Sequence, residues 1–179
     1  RHASLAGDAR QVGGLLRHGA SGYADAGSWA FPFVGSDHTL EWAGYVAALA
    51  ANDGVSNLVA RGDAAPAVQI AAGKWRVASS ASFATGSSVS AKDSRLRAAA
   101  AVITAATKTA NLYVDDEVAV KKDGFLLPTT SAAVLRIGRG KAGATLTGDT
   151  TEVRVMTRAL QPDELIHQPR ASLMVGATK

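Results

Sequence analysis

The sequence predicts an all-β chain: an antiparallel two-sheet β-sandwich or jelly roll with a short C-terminal helical turn. Three observations predict it. Apolar and polar residues alternate with a period of two in many short runs. Gly, Asn and Asp turn signals recur between those runs. No long stretch carries a convincing helical period, and no fixed-period repeat is present.

Each element follows from its residues. Residues 1–27 hold few sizeable aliphatics (Leu5, Val12, Leu15 and Leu16), so they read as an N-terminal arm or lead-in strand. Trp29, Phe31 and Phe33 then alternate, and Pro32 marks an edge position. Leu40, Trp42 and Val46 share one face of a strand over 39–48, and Asn52-Asp53-Gly54 turns the chain. Short strands are expected over 56–60, 67–71 and 74–78, with Gly62-Asp63 and Gly73 between them. The Ser/Ala/Thr/Gly-rich stretch 79–94 reads as one ragged strand around Phe83 and an exposed loop.

Residues 96–105 are alanine-rich, yet Val102, Ile103 and Thr104 are β-branched, which favours a strand. Asn111 to Val120 reads as a hairpin around the two-residue turn Asp115-Asp116. Further strands are expected at Val134–Ile137 and Val153–Met156. Pro162, followed by Asp163 and Glu164, opens a short helical turn.

Composition narrows the function classes. At 179 residues the chain fits one domain large enough to bury a core without staples. Hydrophobic residues make up 47%, but aromatics only 6%, so Val, Leu, Ile and Ala must build the interior. Cysteine is absent, which removes disulfides, thiolate metal sites and a Cys nucleophile. No run of 18 apolar residues spans a membrane. The chain opens on Arg1 and not on Met, as a processed chain would. The net charge is +4, but the basic residues are scattered, so no nucleic-acid partner is expected. Their densest group, Arg136, Arg139 and Lys141, flanks a Gly-rich turn.

Three blocks in the C-terminal half carry a resemblance. They are Asn-Leu-Tyr-Val-Asp-Asp-Glu-Val (111–118), Leu-Arg-Ile-Gly-Arg-Gly (135–140) and the segment Gly148 to Leu165, which holds Glu-Val-Arg-Val-Met-Thr-Arg-Ala-Leu. In order and spacing they resemble the laminin-G-like jelly-roll domains of the concanavalin A-like lectin/glucanase superfamily. Leu-Val-Ala-Arg-Gly-Asp (58–63) adds a weaker match, and the likeness spans roughly 28–167. Two positions depart from the pattern: Asp116 stands where Gly is usual, and Thr151 where Asp is usual. The resemblance implies two curved antiparallel sheets packed face to face. Members bind sugars, proteins or metal ions, or serve as fibre and virion modules. The short, cysteine-free, Ala-rich character is also similar to bacteriophage tail and capsid-surface modules.

Each candidate site competes with a plainer role. A retaining glycosidase needs two carboxylates about 5–5.5 Å apart. Asp115, Asp116 and Glu117 are consecutive and diverge around a turn, so no catalytic residue is assigned and no enzyme is expected. His2, His18, His38 and His167 are scattered, and His38 reads as a solvated loop residue. Gly138-Arg139-Gly140-Lys141 lacks the Lys-Ser/Thr and helix of a phosphate loop. Calcium is the metal ion to consider, through the loop acids Asp53, Asp123 and Asp149, but nothing in their spacing brings them together. No metal site and no cofactor are therefore expected. Arg61-Gly62-Asp63 reads as a hairpin turn. Trp29, Trp42 and Trp75 are the candidates for stacking on sugar, with Trp42 placed in the core and Trp75 between Lys74 and Arg76 open to either role.

The expectation is a jelly-roll domain over 28–167 flanked by an arm at 1–27 and a C-terminal tail at 168–179. Its function is a non-catalytic structural or binding module, virion-borne or extracellular, of the bacteriophage tail or capsid-surface kind. The partners would be other protein subunits of an assembly, or a cell-surface glycan. A secreted carbohydrate-binding domain is the alternative, and a glycan hydrolase with diverged acids the third.

Overall fold

The computed structural model describes residues 4–19, 21–30, 35–48, 55–61, 67–78, 83–91, 95–127, 132–139 and 147–166. Fourteen strands are seen among them. In chain order they are β1 (Ser4–Ala6), β2 (Arg10–Val12), β3 (Leu15–His18), β4 (Tyr23–Ala30), β5 (His38–Ala48), β6 (Val55–Arg61) and β7 (Ala67–Ala71). There follow β8 (Lys74–Ala78), β9 (Phe83–Ser90), β10 (Leu96–Thr104), β11 (Thr109–Val114), β12 (Glu117–Lys122), β13 (Ala132–Ile137) and β14 (Thr147–Met156). A single 3₁₀ turn, Pro162–Glu164, closes the described chain.

The strands form two antiparallel sheets of seven. Sheet A runs β1-β4-β13-β6-β7-β8-β9, and sheet B runs β12-β11-β10-β5-β14-β3-β2. The chain is therefore all-β, a two-layer sandwich with almost no helix, as the alternation predicts.

The core lies between the sheets. Leu40, Trp42, Ala99, Ala101, Ile103, Leu112 and Val114 point in from sheet B, and Val59, Val68, Ile70, Trp75, Val77 and Leu135 from sheet A. Burying each large aliphatic residue contributes about 1.5–3 kcal/mol. The alanines of β10 serve both faces: Ala99 and Ala101 fill the core, while Ala98 and Ala100 are buried on the outside. This explains why the segment is alanine-rich and still a strand.

The hairpin at 111–118 forms as predicted. Val114 faces Glu117, and both turn residues have positive φ, 49° for Asp115 and 73° for Asp116. That pair of left-handed residues is the tight reversal a two-residue hairpin needs, and aspartate tolerates it. Thr151 falls at a register shift of β14, between Thr150 and Glu152.

Residues within 1–27 build more structure than their composition signals. β1 pairs with β4 at one edge of sheet A, and β2 and β3 extend sheet B beyond β14. Strands of three or four residues are too short for a visible alternation, and it is pairing with long neighbours that fixes them. The strand expected at Val153–Met156 begins earlier, at Thr147, because Gly148 to Thr150 pairs with both β3 and β5. Phe31, Pro32, Phe33, the turn at Asn52 to Gly54, Lys141 and the tail 168–179 lie outside the described residues.

Candidate functional site

The outer face of sheet A is set by the same alternation that fills the core. Because Val59, Val68, Trp75, Val77 and Leu135 point inward, their neighbours Ala60, Gln69, Arg76, Ala78 and Arg136 point out. Register brings them into rows. Asp25 of β4 stands beside Arg136, Arg136 beside Ala60, Ala60 beside Ala67, and Ala67 beside Ala78. One step along, Gln69 stands beside Arg76.

Polar contacts fix the long side chains. Arg76 Nε donates to Gln69 Oε1 at 2.9 Å. Arg136 Nε lies 3.8 Å from Asp25 Oδ2. Past the end of β13, the Arg139 guanidinium sits 4.5 Å from the centre of the Tyr23 ring, a cation–π contact. Ala60, Ala78 and Gln69 are buried, while Arg76 and Arg136 keep partial exposure. Burial also lowers the pKa of Arg76. Chemically, the face carries guanidinium N–H donors, suited to hold hydroxyl or carboxylate oxygens.

The outer face of sheet B is closed by the chain itself along β5, β10 and β11. Leu160 and Leu165 pack on Ala100 and Val102, with Tyr113, Met156 and Ala159 at the margin. Thr39 Oγ1 donates to the Arg158 carbonyl at 2.9 Å and accepts from Leu160 N at 3.0 Å. Glu41, fully buried, accepts from Ile166 N at 2.6 Å and from Arg154 at 2.9 Å. Glu164 accepts from Arg158 and from Gln161 N, which holds its carboxyl at about 2.

The acids singled out in the sequence are held apart. Asp115 pairs with Arg97 and accepts from Ala98 N at 2.9 Å, while Asp149 pairs with Arg17 at 2.9 Å. Asp123 is exposed and 3.6 Å from Lys121. Between β12, which Asp123 follows, and β14, which carries Asp149, lie β11, β10 and β5. Four strand spacings make about 19 Å, so these two do not converge on one ion. Asp53 lies outside the described residues, among which no cluster of three metal-ligating side chains occurs.

Two aromatic candidates belong to the core. Trp42 and Trp75 are fully buried, with ring centres 6.1 Å apart and planes tilted by 49°. Of Trp29 only the backbone, in β4, is described. Likewise Arg61 ends β6, and Gly62 and Asp63 lie outside the described residues.

The expectation for His38 is corrected. It is fully buried at the start of β5, and its Nδ1 lies 3.0 Å from the Ser36 carbonyl. Its apparent turn setting ends one residue earlier, and strand pairing with Ile103 carries it inside. His18 is buried too. Its Nε2 lies 3.0 Å from Thr150 Oγ1, which accepts from Trp42 Nε1 at 2.9 Å.

Sequence reasoning missed the Gln69, Arg76 and Asp25 members of the sheet A face. A signal was present: in Lys74-Trp75-Arg76-Val77, a core Trp and Val force Arg76 to the opposite side. Arg136 and Arg139 were visible only as basic residues beside a turn.

A family model for the concanavalin A-like lectin/glucanases superfamily matches residues 18–166. No curated protein matches the chain in sequence. Several solved structures share the fold. The CBM40 domain of the Ruminococcus gnavus IT-sialidase, bound to α2,3-sialyllactose, has a TM-score of 0.64 at 10% identity, covering 84% of this chain and 94% of that one. Domain 4 of AbnA, an extracellular arabinanase from Geobacillus stearothermophilus in complex with arabinotriose, has a TM-score of 0.65 at 11% identity, covering 91% and 79%. A Trypanosoma rangeli sialidase has a TM-score of 0.65 at 17% identity, with 89% of this chain matching only 28% of that one.

Proposed function

Because the chain belongs to the concanavalin A-like lectin/glucanase superfamily, we propose that it is a non-catalytic carbohydrate-binding domain, with sugar held on the outer face of sheet A. The observation that carries this reading is the strand register that sets Gln69, Arg76 and Arg136 on one face of sheet A. Side chains held by their own contacts present donors to sugar hydroxyls at low entropic cost.

Two further observations support it. The similar structures named above include a CBM40 domain with sialyllactose and a glycanase domain with arabinotriose. Three acids of sheet B and the segment that follows it are engaged by arginines: Glu41 by Arg154, Asp149 by Arg17 and Glu164 by Arg158. A carboxylate clamped in this way is a poor nucleophile or proton donor. The neighbours favour this reading over a bacteriophage assembly module docking on protein subunits, for which no named neighbour speaks. A secreted, extracellular setting follows from the same reading.

A glycan array tests it. The chain is expected to bind a restricted set of oligosaccharides, and the double variant Gln69→Ala, Arg76→Ala to lose them while keeping its melting temperature within a few degrees. An array with no binder at all contradicts the proposal.

A further inference from the structure

Strand β12 ends at Lys122, and the chain bends at Asp123-Gly124 before it re-enters the core at Phe125. The Asp123 side chain keeps 75% exposure, and Lys121 Nζ, on a side chain 62% exposed, lies 3.6 Å from its carboxylate. A pair of two exposed groups is a weak restraint. Gly124 is exposed as well, at φ +65°, and nothing beyond its chain neighbours lies within 4 Å of where a Cβ would stand. Its N–H makes no hydrogen bond among the described residues. One residue on, the chain is fixed again: Phe125 is fully buried, and its N–H donates to the Lys108 carbonyl at 2.7 Å.

We propose that Asp123-Gly124 is a site of spontaneous backbone modification, at which the aspartate isomerises to isoaspartate through a succinimide. The chemistry needs these two residues and water. The Gly124 amide nitrogen attacks Cγ of the protonated Asp123 carboxyl. A C–N bond forms, the Cγ–OH bond breaks, and the amide proton leaves with the hydroxyl as water. Water then opens the five-membered ring at either carbonyl. Opening at the side-chain carbonyl restores aspartate, and opening at the main-chain carbonyl leaves Gly124 joined to Cγ. Nothing is oxidised or reduced. The proposal is independent of the carbohydrate-binding reading, since the bend follows the edge strand of sheet B.

Ring closure asks the following amide to turn towards the side chain. A residue without Cβ gives that rotation room, and no hydrogen bond holds the Gly124 amide back. Among the described residues, Asp123 is the one aspartate that precedes a glycine. Others are also held by their partners: Asp37 accepts from Ala105 N at 2.7 Å, Asp8 from Ser21 N at 3.2 Å and Asp115 from Ala98 N at 2.9 Å. The product would lengthen the main chain by one methylene between Lys122, paired with Ala110, and the anchored Phe125. That length must be taken up at the bend, so the end of β12 is where pairing would fray.

Prolonged incubation of the folded chain in warm, mildly acidic buffer, followed by peptide mapping, tests the proposal. The peptide that holds Asp123 is expected to gain a species one water lighter, then an isoaspartyl form of unchanged mass that an isoaspartyl methyltransferase labels. Peptides holding Asp8, Asp37 and Asp115 should stay unlabelled over the same time. Gly124→Ala should lose most of the signal, and Asp123→Glu all of it. Lys121→Ala should raise it about twofold, the worth of an exposed pair, because a carboxylate freed from the cation is more easily protonated. Circular dichroism melts of each variant confirm that the fold is kept. Labelling of the Asp123 peptide in the heat-unfolded chain but not in the folded one overturns the proposal. So does labelling spread equally over the aspartates, or a Gly124→Ala signal equal to that of the unchanged chain.

Discussion

The guanidinium of Arg154 lies 2.9 Å from the carboxylate of Glu41, which is fully buried beneath the C-terminal strap. The two residues are register neighbours on β14 and β5. Glu41 also receives Ile166 N, so one buried charge ties a central strand to the end of the described chain.

Removing the cation strands that charge. Arg154→Leu should destabilise the domain by about 3 kcal/mol, the lower end for a broken buried pair, since Arg154 keeps 33% exposure. Chemical denaturation measures it. The double change Arg154→Leu, Glu41→Leu should recover much of the loss, because an apolar pair leaves no charge unsatisfied.

Thr150 joins two buried rings. Its hydroxyl accepts from Trp42 Nε1 and lies 3.0 Å from His18 Nε2. Thr150→Val keeps the shape and removes the oxygen, so it should cost about 2–3 kcal/mol in urea titrations, with Thr150→Ser costing less.

His18 gives a pH dependence of known sign. Burial lowers its pKa from 6.5, opposed by the Gly22 backbone and by Asp149 and Asp8. The unfolded chain then binds more protons below pH 6.5 than the folded one, so stability rises with pH across that window and is lost as pH falls. An NMR titration of the His18 ring should show a midpoint below 6.5. A midpoint above it contradicts this account.

Glu164 gives a second, in acid. Held at about 2 by Arg158 and Gln161 N, it favours the folded turn above its usual pKa of 4.5, and that contribution is lost as pH falls from 4.5 towards 2. The Gln161 amide resonance should shift over this interval, and Glu164→Gln should abolish the shift.

Gly138 shows why a family turn keeps glycine. Its φ is +81°, and a Cβ there would stand 2.5 Å from His18 Nδ1. Gly138→Ala should therefore cost at least about 2 kcal/mol. Asp116, by contrast, has open left-handed geometry at φ 73°, so Asp116→Gly should gain up to about 1 kcal/mol.

The sequence was most legible where a single strand decides the outcome. The pattern Leu40, Trp42, Val46 and the turn Asp115-Asp116 each fix a face or a register locally. It was least legible where a neighbour decides. Three-residue strands such as Arg10–Val12 exist because β3 pairs with them, and His38 is buried because β10 lies alongside. The candidate site falls in the second class. Asp25, Gln69, Arg76 and Arg136 come from four strands, and only the order β4-β13-β6-β7-β8 sets them on one surface. No spacing along the chain encodes that order.

The most direct measurement is amide chemical-shift mapping of the labelled domain titrated with sialyllactose and with arabinotriose. Perturbations concentrated at Asp25, Gln69, Arg76, Arg136 and Arg139 are the result predicted. Shifts concentrated on β11, β12 and the outer side of sheet B, or none with either sugar, would contradict the assignment of the binding face.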